Sequence, residues 1–248
     1  MEAIFIQARL GSTRLPNKVI LPFYKEKSIL ELLIDKIKNE FKELPIVVCT
    51  TTNKEDDKIE KLCVSSDVIC FRGDEYNVLN RFVTAAVKHN ITTIIRICAD
   101  NPFLDISLLK DLMEKYKVDT KKDYWSYKNQ KQIPVIKTHF GFFGEIVSLN
   151  ALKAVQTKTD NPVYLEHVTN YIYSHTNFDC SFYELPDYLK ERNDLRFTID
   201  DIDDFELMQQ LYKKYEDFEF KLSELVSYVS TKENITEKMI YNINKYSK

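Results

Sequence analysis

Residues 7–18 read Gln7-Ala8-Arg9-Leu10-Gly11-Ser12-Thr13-Arg14-Leu15-Pro16-Asn17-Lys18 and follow an apolar run, Ala3-Ile4-Phe5-Ile6. The loop therefore leaves the end of a buried strand, and it carries three cations, two hydroxyls and a glycine. Glycine lets backbone N–H groups approach anionic oxygens closely, arginine offers a planar fork and lysine a movable point charge. Together they suit a chain of phosphates. Taken alone, a basic loop is equally the solvated surface of any protein; its weight depends on what the chain places beside it.

Two acids complete the chemistry. Asp100 ends Ile94-Ile95-Arg96-Ile97-Cys98-Ala99, and Asp200 ends Leu195-Arg196-Phe197-Thr198-Ile199. A carboxylate at the rim of a strand can share Mg²⁺ with phosphate oxygens, since this ion takes one or two carboxylates and completes its shell with phosphate and water. Either acid is alternatively a helix cap or a solvated turn, and that reading is preferred for Asp201, Asp203 and Asp204.

The elements that must position these groups alternate. Ala3–Ile6, Ile46–Thr50, Asp67–Phe71 and Thr92–Cys98 read as strands, with helices after Ser28 (a capping box with Glu31), over 54–63, 75–89 and 106–116, the last capped by Asp105. This order predicts an α/β fold, a three-layer, mainly parallel, doubly wound sheet. Ligands of such sheets lie beyond the carboxyl ends of the strands. The basic loop lies there, as do Thr50-Thr51-Thr52, Arg72-Gly73-Asp74 and Asp100-Asn101-Pro102. Further along, 123–127, 178–185 and 195–199 read as strands, 137–147 as an extended excursion, and 149–155, 162–174, 205–215 and 222–246 as helices. A single domain over 1–248 is expected, with 123–157 a small extension and 216–248 a helical tail.

Composition narrows the classes. The formal charge of −3 gives no global field to draw nucleic acid or an anionic membrane, so anion binding must be local. No apolar run approaches the ~20 residues of a membrane span, and the first residues lack a signal-peptide pattern; a cytoplasmic location is expected. Five scattered cysteines and four histidines form no zinc pattern. With four glycines there is neither G-x-G-x-x-G nor a Walker-type loop.

Ala8-Arg9-Leu10-Gly11-Ser12-Thr13-Arg14-Leu15-Pro16-Asn17-Lys18 resembles the A-R-x-G-S-x-R-x-P-x-K signature of the cytidylyltransferases that make CMP-activated acidic sugars, such as CMP-Kdo and CMP-sialic acid synthetases. Phe71-Arg72-Gly73, residues 77–81 and 96–102, Glu166-His167-Val168-Thr169 and residues 195–200 resemble, in order, landmarks of the branch named for a spore-coat polysaccharide biosynthesis protein. The resemblance spans about residues 1–211. It implies a Rossmann-like sheet of the nucleotide-diphospho-sugar transferase type, a homodimer paired through 123–157, and transfer of CMP from CTP to a sugar, sugar-acid, phosphorylated or phosphonate acceptor. Carried over by position, Arg9, Ser12, Arg14 and Lys18 would hold the triphosphate, Ala8 and Gly11 would join them in binding the nucleotide, and Thr50, Thr51, Arg72, Asn77, Val78 and Arg81 would surround the cytosine. Asp100 and Asp200 would hold Mg²⁺; Arg9, Arg14, Lys18 and Asp100 would be catalytic.

The acceptor region departs from the family pattern. Gly141-Phe142-Phe143-Gly144-Glu145 stands where the branch has G-L-D-V-E, and Leu165 precedes Glu166-His167 where an arginine is common. Glu145, Glu166, His167 and Arg196 are the expected acceptor contacts, with His167 open between substrate binding, acid/base work and a structural role. Tyr124, Trp125 and Tyr127 read as core or dimer contacts. The competing readings are a nucleotide-sugar-dependent glycosyltransferase, for which Asp201-Ile202-Asp203 has the D-x-D spacing at the wrong place, and a non-catalytic nucleotide-binding homologue.

Overall fold

A computed structural model describes residues 1–246. The first half runs β1 (Glu2–Gln7), the hairpin strands β2 (Pro22–Tyr24) and β3 (Lys27–Ser28), α1 (Ile29–Glu40), β4 (Ile46–Thr51), α2 (Asp57–Ser65), β5 (Ile69–Gly73), α3 (Val78–Lys88), β6 (Thr93–Cys98) and α4 (Ile106–Val118). The second half adds β7 (Tyr124–Lys128), β8 (Glu145–Ser148), α5 (Leu149–Gln156), α6 (Pro162–Glu166), α7 (Asn170–Ser174), β9 (Cys180–Glu184), α8 (Ile202–Asp217), α9 (Leu222–Ser230) and α10 (Glu233–Lys245). Seven of the strands form one sheet in the order β5-β4-β1-β6-β8-β7-β9. β1 pairs in parallel with β4 and β6, and β4 in parallel with β5; β8 runs against both β6 and β7.

β1 is buried on both faces, which is why it reads as an unbroken apolar run. Its period-two alternation sends Ile4 and Ile6 to the layer containing α1 and α4, and Ala3 and Phe5 to the layer containing α3 and α5. Each fully buried side chain of this kind contributes on the order of 1.5–3 kcal/mol. Helix starts are set by side chains: Ser28 and Glu31 close a capping box on α1, and Asp105 caps α4 through the Leu108 N–H at 2.9 Å. Such caps are worth about 1 kcal/mol each.

One expectation is made concrete and two change. Residues 123–157 supply β7 and β8 to the main sheet, where Tyr124, Trp125 and Tyr127 are core residues exposed by 1% or less. Leu195–Ile199 is extended without joining the sheet: the Phe197 N–H donates to His139 O at 2.8 Å and the Ile199 N–H to Asp100 O at 3.3 Å, so the segment is held by loop carbonyls. A buried apolar run looks the same in either setting. Residues 162–174 and 222–246 each form two helices, the latter breaking at Thr231-Lys232.

Candidate active site

The loop after β1 is folded by its own ends. The Asn17 N–H donates to Leu10 O at 3.1 Å, and Asn17 adopts φ 62°, which asparagine tolerates, so the chain doubles back and delivers Lys18 to the carboxyl end of β6. Ser12 Oγ accepts from the Leu15 N–H at 3.4 Å. A Cβ on Gly11 would lie 3.3 Å from Glu75 Oε1, a tight approach that glycine avoids. Ala8 is buried and its N–H donates to Cys49 O at 3.2 Å, tying the start of the loop to β4.

The buried carboxylate of Asp56 carries more of the loop's fixation. It accepts from the Leu10 N–H at 2.8 Å, from the Thr51 N–H at 3.1 Å and from the Thr51 hydroxyl. The phosphate-type loop and the end of β4 thus hang from one acid that the sequence reading overlooked.

Asp100 and Asp200 meet at the same place, although a hundred positions separate them. Lys18 Nζ donates to Asp100 Oδ2 at 3.0 Å and to Ile199 O at 2.5 Å, and Arg14 pairs with Asp200. Burial pushes the Asp200 carboxyl up, but the Arg196 hydrogen bond and the charges of Lys18 and Arg14 outweigh it and hold it below the usual carboxylate range. Two carboxylates sharing a cation-lined rim are a donor set that suits Mg²⁺. Among the described residues no group of three or more His, Cys, Asp or Glu side chains is placed to enclose a metal, so such an ion would draw its remaining oxygens from phosphate and water.

Arg196, expected at the acceptor, is instead buried beneath this rim. Its guanidinium donates to Asp204 Oδ1 and Oδ2 at 2.9 and 2.6 Å and to Asp200 Oδ2 at 2.7 Å, and lies 2.6 Å from His139 Nδ1. Asp204 Oδ2 also accepts from the Asp200 N–H at 2.9 Å. The pair fixes Asp200 from behind.

The residues expected around a base cluster at the ends of β4 and β5 and the start of α3. Asn77 caps α3 through the Asn80 N–H at 2.9 Å, and buried Val78 follows it. Arg72 is drawn away into the β4–α2 loop, donating to Thr51 O at 2.9 Å, Asn53 O at 2.8 Å, Asp57 at 2.6 Å and Glu60 at 2.8 Å. Thr50 Oγ1 and the Nε and Nη2 of Arg81 are buried without a hydrogen-bond partner, while Arg81 Nη1 donates to Asp74 O at 2.5 Å. Burial lowers the Arg81 pKa, so an incoming acceptor oxygen or ring nitrogen would relieve an unpaired charge.

Beside the two acids lies a cavity of about 200 Å³, lined in part by Gln7, Asn101, Phe143, Glu145, Glu166 and His167. Glu145 is buried in an ion pair with Arg96, backed by the Tyr124 hydroxyl and by Thr169 Oγ1 at 2.9 Å. Arg96 Nη2 also donates to Gln7 Oε1 at 2.8 Å. Glu166 reaches across to Arg9 at 3.1 Å, joining the cavity to the loop. Arg96 Nε, Asn101 Oδ1 and Thr198 Oγ1 are buried there with no partner, as expected where a polyhydroxylated ligand would supply the missing hydrogen bonds.

Residues 3–239 match the family model described as cytidylyltransferase. The chain belongs to the cytidylyltransferase family. Uncharacterized protein MJ1063 of Methanocaldococcus jannaschii is 38% identical over 225 residues, covering 90% of this chain and 88% of that protein. Spore coat polysaccharide biosynthesis protein SpsF of Bacillus subtilis is 36% identical over 217 residues, covering 84% and 85%. A solved cytidylyltransferase from Leptospira borgpetersenii superposes with a TM-score of 0.83 at 28% identity, covering 95% of this chain and 96% of that one. The cytidylyltransferase is thus a nucleotidyltransferase with the mainly parallel sheet of that family. Its Asp201-Ile202-Asp203 triplet opens α8. Asp201 caps α8 through the Asp204 N–H at 3.0 Å and accepts from the Tyr246 hydroxyl at 2.5 Å and Lys245 at 3.0 Å. Among the described residues no helix is long and apolar enough to cross a membrane.

Proposed function

We propose that the protein transfers CMP from CTP to a small sugar-type acceptor, with release of pyrophosphate, and that it serves the building of a surface polysaccharide. The observation that carries this reading is the convergence of Arg9, Arg14 and Lys18 on one strand-end crevice with Asp100 and Asp200, beside unpaired Thr50 and Arg81 and the acceptor-sized cavity. The loop cations draw the triphosphate in, and the Gly11 turn lets the backbone approach it. Arg81 and Thr50 supply donors to the base edge. Mg²⁺, held by Asp100 and Asp200, would neutralise phosphate charge.

An acceptor oxygen then attacks the α-phosphorus in line; the new P–O bond forms as the bridging α–β bond breaks and pyrophosphate departs. The protein's part is positioning and charge neutralisation. Arg14 and Lys18 turn from the acids to the phosphates and stabilise charge on the leaving group. His167, in the cavity wall, is the group that takes the acceptor's proton. The acceptor class spans sugars, sugar acids and phosphorylated or phosphonate alcohols, and the working unit is a cytoplasmic homodimer.

The test is pyrophosphate release with each NTP, Mg²⁺ and a panel of those acceptors. Release with CTP alone among nucleotides supports the reading, and Lys18→Ala and Asp100→Ala should each lower kcat at least a hundredfold. Full activity in either variant overturns the assigned roles, and UDP or GDP release from a nucleotide sugar overturns the reaction.

A further inference from the structure

The family match stops at residue 239, yet the helix that continues past it reaches the phosphate loop. The Tyr246 ring centroid lies 4.5 Å from Arg14 Cζ and 5.2 Å from Arg196 Cζ. Its hydroxyl donates to Asp201 Oδ2, and Lys245 reaches the same oxygen. Buried Asn242, one turn earlier, donates from Nδ2 to Asp204 Oδ1 at 2.8 Å, and Met239 Sδ accepts from the Arg196 N–H at 3.5 Å. Four residues of α10 and its cap are therefore spent on the acids and arginines that surround Asp200.

Among these contacts, the one to Arg14 differs in kind. Asn242 and Lys245 hold α10 in place, as any docked helix must be held. Tyr246 places an aromatic face against the guanidinium of a residue whose side chain is 45% exposed and otherwise bonded to Asp200. An exposed arginine loses up to about 2 kcal/mol of rotamer freedom when a ligand immobilises it. A ring 4.5 Å from the guanidinium carbon restrains it beforehand while an N–H group still donates to Asp200. The edge that donates to Asp200 in this structure can turn to a phosphate oxygen without leaving the ring.

We propose that Tyr246 is a positioning residue for Arg14, so that α10 is a working part of the nucleotide site. The proposal rests on CTP being the nucleotide that Arg14 meets. Titration of CTP into the full chain with Mg²⁺ and no acceptor, followed by calorimetry, tests it. Tyr246→Leu keeps apolar bulk and removes the π face, and should weaken CTP about three- to tenfold. Tyr246→Phe keeps the ring and should stay within twofold. In an Arg14→Ala background the effect of Tyr246→Leu should vanish, since the ring then has no guanidinium to hold; a merely structural role for α10 would leave it undiminished. The positioning role is overturned if Tyr246→Leu binds CTP as the parent chain does, or if its effect persists in Arg14→Ala. If the parent chain binds no CTP, the proposed function and this role fall together.

Discussion

Replacing Asp56 by alanine should damage the site without touching a ligand. The carboxylate is 1% exposed and satisfies two backbone N–H groups, of Leu10 and Thr51, and the Thr51 hydroxyl. In the alanine variant these three donors face a void. Each buried unsatisfied donor costs about 1–3 kcal/mol. The hydroxyl can rotate to another acceptor, so the two backbone donors dominate and the loss should be about 3–5 kcal/mol. For a chain of this size, about 4 kcal/mol lowers Tm by roughly 8–16 °C. Because Leu10 belongs to the loop proposed to hold the triphosphate, CTP affinity should fall with stability, and Asp56→Asn should lie between, losing the charge but keeping one acceptor oxygen. Calorimetric melting and CTP titration check both numbers. A Tm within 3 °C of the parent chain, with unchanged CTP affinity, would refute the claim that Asp56 suspends the loop.

Gly141→Ala should destabilise the chain by at least about 2 kcal/mol in urea unfolding, because φ is +67° and the new Cβ would stand 2.7 Å from Phe197 O. Glu145→Gln should cost about 3–5 kcal/mol by leaving the buried Arg96 charge without a carboxylate to balance it, measurable by the same unfolding curve. For Asp201, burial pushes the carboxyl up, but the Tyr246 hydroxyl, the Asp204 N–H and Lys245 outweigh it and hold it at about 2. Its folded pKa is below the unfolded one, so its contribution, about 2 kcal/mol, is present above pH ~4 and lost as pH falls toward 2. Asp201→Asn should flatten that part of the acid-unfolding profile, whereas a profile identical to the parent's would show that the hydrogen bonds do not stabilise the charged form.

The sheet centre was legible because β1, β4 and β6 are buried on both faces and read as largely apolar runs rich in Ile and Val. The same logic misread Leu195–Ile199, whose apolar side chains are equally buried but whose N–H groups go to His139 and Asp100. Arg9, Arg14 and Lys18 stood out because they share a loop that leaves an apolar run, and Asp100 and Asp200 because each ends one. Asp56 did not, since it sits in Lys54-Glu55-Asp56-Asp57, where a buried acid looks like its solvated neighbours. Asp204 is hidden in an acidic run in the same way. Arg196 was recognised as a cation beside the site, but its partners Asp204 and His139 come from other segments, so its burial beneath Asp200 had no local sign.

The loop after β1 finds its partners 46, 82, 157, 181 and 186 positions further along the chain. Closing those distances costs chain entropy before any contact repays it. The loop after β1 is written first, yet its contacts are complete only when residues beside α2, β6, α6 and the start of α8 are in place around it. A polypeptide folded only through its leading half would carry every basic residue of the signature and the Asp56 and Asp100 partners, yet lack Glu166, Ile199 and Asp200, which hold Arg9, Lys18 and Arg14.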